Sequence, residues 1–170
     1  MKSSITYPAE DVVLGILEIG NGREAEKQGE RELLKQMLGY DVVLNHNEDG
    51  KPLIERYNIS ISHTKGFVAI LLSKGLEVGI DIEYHSDRIQ KIARRFLRPD
   101  ETYTTTSDLL IAWCAKEAAY KLFSEEHLTY QEMKVNISEN QLIDLKTTVT
   151  INFVPLIHSE YVIVMCWANK

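Results

Sequence analysis

The chain of 170 residues is long enough for one compact domain, and a separate second domain is not expected. Its formal net charge of −6 argues against a general nucleic-acid binder, whose surface would be broadly basic. No apolar run is long enough to span a membrane, and residues 1–13 lack the hydrophobic core of a signal peptide. We therefore expect a cytoplasmic protein that binds neither nucleic acid nor membrane.

The first half of the chain predicts a strand, a helix and then several short strands. Residues 12–19 are rich in β-forming side chains, and residues 21–38 read as a turn and an amphipathic helix that ends at Gly39. Short strands are then predicted at residues 41–45, 51–54, 57–62, 67–73 and 76–83.

The second half predicts two helices followed by strands. Residues 87–101 carry one continuous apolar stripe, and Pro99 marks the end of that helix. A largely apolar, buried helix is predicted over residues 107–123, with Ser107 or Asp108 as its N-cap. Strands follow at residues 133–138, 141–154 and 160–168. The order predicts an α+β chain of two similar halves.

Two acids interrupt the apolar strand EVGIDIEY at residues 77–84. Asp81 and Glu83 project from one face of this strand, while Ile80 and Ile82 project from the other. Neighbouring carboxylates repel each other unless a cation lies between them, and Mg²⁺ takes oxygen ligands of this kind. A strand with one solvated face would explain the two acids equally well.

A third acid lies in the predicted buried helix. Glu117 follows the almost wholly apolar residues 109–116, and helix geometry places Glu117 and Lys121 on one side. A carboxylate in a buried helix requires a partner, which either a metal ion or Lys121 can supply. An ordinary pair of Glu and Lys four residues apart is the alternative.

These motifs resemble those of 4′-phosphopantetheinyl transferases of the surfactin-synthetase-activating type. The matching stretches, in the family's order, are GKP at 50–52, NISISHT at 58–64, VGIDIE at 78–83, IARRFLRPDE at 92–101 and WCAKEAAYK at 113–121. The resemblance implies an α+β fold of two pseudo-symmetric halves, each a helix packed on a small antiparallel sheet. One domain would span residues 1–170, with halves of about 1–84 and 85–170 and the active site in the cleft between them.

The resemblance also implies an activity. Enzymes of this family transfer the phosphopantetheine arm of coenzyme A to a serine of an apo acyl or peptidyl carrier protein, and release adenosine 3′,5′-bisphosphate. By that similarity Asp81, Glu83 and Glu117 would hold Mg²⁺, Glu117 would also activate the carrier serine, and Lys121 would stabilise phosphate charge. A chain with both halves is expected to be a monomer, and its pathway stays open between fatty acid, polyketide and peptide synthesis.

Residues that bind coenzyme A are carried over from the same motifs. The cradle of the 3′-phosphate matches the end of the strand at 58–64 and basic residues of the first helix, and the adenine contact matches residues 51–52. The full implied set is Arg23, Arg31, Lys51, Pro52, Ser62, His63, Thr64, Asp81, Lys116 and Lys121. Taken alone, His63 is typical of a structural histidine at a strand end, and DGKP of a plain turn.

A basic ridge runs along the helix that follows EVGIDIEY. Its members recur every three or four residues and are Arg88, Lys91, Arg95 and Arg98. Carrier proteins are usually acidic around the modified serine, so this ridge is expected to dock them by charge complementarity. A solvated helix face would explain the spacing equally well.

The chain departs from the family after Lys121. A glycine-containing turn of the form KxxGxGL usually follows this lysine, whereas no glycine occurs from Lys121 to Lys170. We therefore expect a loop without positive φ and with different contacts to the pantetheine arm. Two other classes stay open: a non-catalytic protein that binds coenzyme A or a carrier, and another Mg²⁺-dependent phosphotransfer or phosphodiester enzyme.

Overall fold

The computed structural model describes residues 2–170, which form three α-helices and antiparallel sheets. The helices are α1 (Arg23–Leu38), α2 (Arg88–Phe96) and α3 (Thr106–Leu122). The strands are β1 (Ser3–Ala9), β2 (Val12–Glu18), β3 (Asn45–His46), β4 (Pro52–Leu53), β5 (Asn58–Thr64), β6 (Phe67–Ser73), β7 (Glu77–Tyr84), β8 (Met133–Asn136), β9 (Gln141–Asp144), β10 (Val149–Ile157) and β11 (Tyr161–Ala168). The predicted mixture of helices and antiparallel strands is confirmed.

The helix ends follow the local sequence closely. Gly39 ends α1 in the left-handed conformation, with φ of 83°, and its N–H donates to the carbonyl of Lys35. The N-cap of α3 is Thr105, whose hydroxyl accepts from the N–H of Asp108, so the predicted caps at Ser107 or Asp108 were wrong by a few residues. Asp108 lies instead in the first turn, where the helix dipole favours negative charge.

Several strand bounds differ from those predicted. The largely exposed strand β1 was not predicted, because its sequence SSITYPA shows no regular alternation of apolar and polar residues. Residues 41–45 and 51–54 contribute only the two-residue strands β3 and β4. Residues 141–154 contain a turn that separates β9 from β10.

Two larger sheets carry the fold. One has the strand order β1-β2-β6-β5, and the other has the order β7-β11-β10-β9-β8. We predicted a division of the chain near residue 84, which groups β7 with the first half. By its hydrogen bonds to β11, β7 belongs to the second sheet, so the boundary between the sheets falls before residue 77.

Three apolar cores separate four layers. The first core lies between α1 and the first sheet and includes Leu17, Leu33, Leu34, Val68 and Ile70. The second lies between the two sheets and includes Leu14, Phe67, Leu71, Ile80, Ile82 and Ile163. The third lies between the second sheet and the helices α2 and α3 and includes Phe96, Leu109, Ala118, Phe153 and Val164. The second sheet is thus covered on both faces along β7 and β11, and β11 is a continuous apolar run, whereas Asp81 and Glu83 interrupt that of β7.

The edge strands β5 and β7 are joined by side chains. The pairs are Asn58 Nδ2 to the carbonyl of Leu76 (2.7 Å), and the N–H groups of Ile80, Ile82 and Tyr84 to the hydroxyls of Ser60 (3.1 Å), Ser62 (3.2 Å) and Thr64 (3.0 Å). In each of the three pairs with a hydroxyl, the two residues are 20 positions apart in the chain. Because this spacing is constant, β5 and β7 run side by side in the same direction. Alternating polar residues in NISISHT therefore satisfy backbone donors of a neighbouring sheet.

Candidate functional site

A cleft of about 270 Å³ opens between the edge strand β5 and α3. Its lining includes Lys51, Pro52, Ser60, Glu117, Tyr120 and Lys121. The first sheet and the turn before β4 supply one wall, and α3 supplies the other. Four residues that the sequence assigned to the site therefore line this cleft, namely Lys51, Pro52, Glu117 and Lys121.

Asp81 is buried between β5 and α3. It is 5% exposed, and its Oδ1 accepts hydrogen bonds from Ser62 Oγ at 2.9 Å and from Lys121 Nζ at 3.3 Å. Its Oδ2 is buried with no hydrogen-bond partner in residues 2–170. Burial raises the pKa of Asp81, and the nearby charge of Lys121 opposes this rise. A solvated strand face, the alternative that the sequence left open, does not describe Asp81.

The other two acids are each held through one oxygen by an aromatic donor. Trp113 Nε1 donates to Glu83 Oε1 at 3.1 Å, and the hydroxyl of Tyr130 donates to Glu117 Oε1 at 2.8 Å. Burial and the charge of Asp81 raise the pKa of Glu83 to about 7. Burial also raises the pKa of Glu117, with a smaller contribution from Asp81. The charge of Asp81 thus destabilises the charged forms of Glu83 and Glu117, and the charge of Glu117 adds to this effect on Glu83.

Lys121 connects the two sheets at the cleft. Its Nζ donates to the carbonyl of Ile61 on β5 at 3.3 Å and to that of Ile80 on β7 at 2.8 Å. Its ion-pair partner is Asp81, across the seam, rather than the residue one turn before it on the helix. The side chain of Lys121 is still about one-third exposed and lines the cleft, so it also brings positive charge there.

The donor chemistry of this site fits a hard cation. The site offers three carboxyl groups, and one oxygen of Asp81 is buried with no hydrogen-bond partner in residues 2–170. The charge of Asp81 raises the pKa of Glu83 and that of Glu117, and carboxylate oxygens are the ligands that Mg²⁺ takes. As they stand, however, no three or more His, Cys, Asp or Glu side chains of residues 2–170 form a cluster ready to hold a metal ion. One oxygen of each acid is instead engaged by Lys121, Trp113 or Tyr130.

Only part of the predicted coenzyme A set lies at the cleft. Lys51 and Pro52 line it, although Lys51 Nζ pairs with Glu77 at 2.9 Å. Ser62 and Thr64 do not line the cleft, and their hydroxyls accept hydrogen bonds from backbone N–H groups of β7, while Ser62 also donates to Asp81. The side chains of these two residues are therefore not presented to a ligand as we predicted.

His63 lies on the α1 side of β5, with acids beside it. Its Nδ1 is 3.4 Å from Glu26 Oε1, and Glu30 lies near enough for the charge of His63 to lower its pKa against the larger effect of burial. Arg23 and Arg31 are both exposed on α1. Two neighbouring acids oppose an anion here, so this face is a weaker phosphate cradle than the sequence suggested.

Lys116 was predicted to contact phosphate, and its position contradicts this. Its side chain is fully buried in the third core, and its Nζ pairs with the equally buried Glu101 at 2.5 Å. Lys116 and Glu117 are adjacent in sequence but point in different directions from α3, since successive helical side chains are rotated by about 100°. Only Glu117 reaches the cleft.

The basic ridge on α2 is three residues long rather than four. Arg88, Lys91 and Arg95 are exposed, whereas the guanidinium of Arg98 bonds Asp100 and the carbonyl of Gln131. Arg98 therefore serves to hold the segment after α2 in place. Its charge is largely committed within the chain.

The loop after α3 does contain positive φ, contrary to our expectation. His127 takes the left-handed conformation with φ of 50°, a region in which His is more frequent than most residues. Its Nε2 lies 3.4 Å from Asp49 Oδ1, beside the cleft. The sequence did not indicate Tyr130, which this loop brings to Glu117, since no motif extends beyond Lys121.

The family model of the 4′-phosphopantetheinyl transferase superfamily, called ACPS, matches residues 77–166, from β7 into β11. The match covers 90 of the 170 residues, and the chain belongs to this superfamily. The predicted superfamily is thereby confirmed, and with it a transferase of this kind. A search of curated proteins found no match to the chain. In residues 2–170, no helix has the length and apolar character needed to cross a membrane.

Proposed function

We propose that the protein is a Mg²⁺-dependent, monomeric 4′-phosphopantetheinyl transferase of the surfactin-synthetase-activating type, which modifies a serine of an apo acyl or peptidyl carrier protein. Membership of the superfamily supports coenzyme A as substrate and a carrier protein as acceptor. The observation that carries the proposal is the meeting of Asp81, Glu117 and Lys121 where the two sheets join. The pair of helix-covered sheets supports two pseudo-symmetric halves within one domain of residues 1–170.

The geometry suits in-line phosphoryl transfer. The carrier serine oxygen attacks the phosphorus next to the pantetheine, the bond to the bridging oxygen breaks, and adenosine 3′,5′-bisphosphate leaves with the electron pair. Glu117 lines the cleft and accepts the serine proton, and its raised pKa brings it nearer the working range of a base. Lys121 presents its ammonium to the phosphate charge.

Asp81, Glu83 and Glu117 would hold Mg²⁺, with further positions filled by phosphate oxygens and water. When bound, the ion supplies neutralisation of the pyrophosphate charge. Among the coenzyme A contacts, we retain Lys51, Pro52 and Lys121 at the cleft and His63 with Arg23 and Arg31 on the α1 side. Ser62 and Thr64 stay in the proposal only through their backbone, and Lys116 is left out.

Transfer is tested by incubating the protein with coenzyme A, Mg²⁺ and several apo carrier proteins, a fatty-acid acyl carrier included. Intact mass spectrometry is expected to show addition of one phosphopantetheine group to at least one carrier. An unmodified mass for every carrier would favour a non-catalytic binding protein instead.

Glu117→Gln is expected to reduce the transfer rate by at least about 100-fold, because the amide cannot accept the serine proton. The hydroxyl of Tyr130 can still donate to the amide oxygen, so the far-ultraviolet circular dichroism should match that of the parent protein. Glu125→Gln, an exposed acid eight residues further along, is the matched control and should keep full activity. Full activity of Glu117→Gln would overturn the role of Glu117.

Reversing the charges of Lys91 and Arg95 to Glu is expected to raise the KM for the carrier about tenfold, because two of the exposed cations of α2 are replaced by charges that repel an acidic partner. The KM for coenzyme A should not change. Reversing Lys27 and Lys35 on α1 alters the net charge equally and serves as the control. If the two double variants have equal KM values for the carrier, the basic residues of α2 form an ordinary solvated face and do not dock the carrier.

A further inference from the structure

We propose that the Tyr130 hydroxyl is a positioning residue that fixes the orientation of the Glu117 carboxylate. This inference rests on the proposed function, in which Glu117 is both base and metal ligand. The hydroxyl donates to Glu117 Oε1 at 2.8 Å, which engages one oxygen of the carboxylate. The second oxygen is thereby directed away from Tyr130, and Glu117 itself lines the cleft.

Tyr130 is held in place from three sides. Its ring packs against Trp113, with ring centroids 5.5 Å apart, and Trp113 in turn packs edge-on against Phe96 at 5.1 Å. Its carbonyl accepts a hydrogen bond from Lys116 Nζ at 3.1 Å. A capping box formed by Thr129 and Glu132 sets the single 3₁₀ turn in which it lies. A tyrosine constrained in this way keeps its hydroxyl in one position.

Glu83 is held by the same device. Trp113 donates through Nε1 to Glu83 Oε1 at 3.1 Å, as Tyr130 donates to Glu117. The rings of Trp113 and Tyr130 contact each other. This packed pair therefore holds one carboxylate oxygen of Glu83 and one of Glu117. This arrangement explains how two mutually repelling carboxylates keep defined orientations in a partly buried site.

Tyr130 lies in the part of the chain that departs from the family's sequence pattern. It comes from the segment after Lys121 that lacks the glycine-containing turn, and His127 in the same segment takes the left-handed conformation. The segment that lacks this turn therefore supplies the tyrosine that contacts Glu117, the proposed base. Partners that orient metal-binding or catalytic side chains typically contribute 10- to 100-fold to affinity or activity.

Tyr130→Phe tests the inference, because it removes the hydroxyl and keeps the ring against Trp113. We expect kcat for transfer to fall about 10- to 100-fold with little change in the KM for coenzyme A. Tyr103→Phe is the matched control: this half-buried tyrosine bonds only backbone groups, namely the carbonyl of Val135 at 2.9 Å and the N–H of Ile137 at 3.1 Å. Loss of the Tyr103 hydroxyl should leave kcat unchanged.

A second readout does not depend on turnover. Mn²⁺ is titrated calorimetrically into the full chain with coenzyme A present, and Tyr130→Phe is expected to bind it at least about tenfold more weakly than Tyr103→Phe. Thermal unfolding of both variants controls for a purely structural effect, which would lower the midpoint without changing kcat or Mn²⁺ affinity.

The outcomes separate the two proposals. If the parent protein transfers phosphopantetheine and Tyr130→Phe keeps its kcat, the positioning role is overturned while the proposed function stands. If the parent protein transfers nothing, the proposed function fails, and the Mn²⁺ titration alone judges Tyr130. A parent protein that shows neither transfer nor Mn²⁺ binding overturns both.

Discussion

Lys116→Met is expected to lower the free energy of unfolding by about 3–5 kcal/mol, the range found when one partner of a buried ion pair is removed. Lys116 and Glu101 are both fully buried, and their pairing distance is 2.5 Å. Burial lowers the pKa of Lys116, while the hydrogen bond and charge of Glu101 oppose this shift. Methionine keeps most of the length of the lysine side chain but leaves the carboxylate of Glu101 without its counter-charge.

The loss is expected to be large because the pair joins several segments. Lys116 Nζ also donates to the carbonyls of Phe96 at 2.6 Å and Tyr130 at 3.1 Å. Glu101 accepts from the backbone N–H groups of Arg98 at 2.8 Å and Val135 at 2.7 Å. The end of α2, the centre of α3 and the start of β8 therefore share one buried polar network.

Urea unfolding followed by circular dichroism measures this effect. Lys134→Met is the control, since Lys134 forms a partly exposed pair with Asp100 and its loss should cost at most about 1 kcal/mol. Combining Lys116→Met with Glu101→Gln should cost less than the sum of the single changes, because the uncompensated charge is gone. A loss for Lys116→Met as small as that for Lys134→Met would contradict the network.

Local patterns predicted the elements of the site well. Alternation in EVGIDIEY placed Asp81 and Glu83 on the face opposite Ile80 and Ile82, and the structure confirms this division: the isoleucines lie in the core between the sheets. The apolar run before Glu117 predicted a buried helix, which is α3. Both results follow from the periodicities of strand and helix, which depend on neighbours in sequence.

Partners that come from distant parts of the chain were not predictable in the same way. The alternation of NISISHT places Ser62 and Thr64 on one face, but only the approach of β7 makes that face a seam rather than a ligand surface. Lys116 lies beside Glu117 in sequence, but its side chain is buried because it pairs with Glu101 in the loop after α2. Tyr130 contacts Glu117 on α3, and His127 contacts Asp49 in the first half of the chain, so neither partner can be identified from neighbouring residues.

Gly79→Ala is expected to destabilise the protein by about 3 kcal/mol or more, because β7 and α3 touch at this position. A Cβ atom at Gly79 would lie 2.1 Å from the carbonyl oxygen of Ala118 and 3.2 Å from Cys166 Sγ. The nearest atom belongs to the backbone of a packed helix, so no side-chain rotation relieves the overlap. The glycine serves close approach rather than backbone freedom.

The same substitution should impair transfer in the molecules that still fold. Ala118 follows Glu117 directly, and Lys121 lies one turn later, so moving α3 away from β7 separates both from Asp81. A displacement of about 1 Å can reduce the rate about 100-fold.

Both effects are measured at low temperature, by urea unfolding and by intact-mass rate assays. Gly20→Ala is the control, because its nearest contact would be an ordinary 3.8 Å to Ala25. Parent-like stability and rate in Gly79→Ala would mean that α3 can shift along β7 without disturbing the acids.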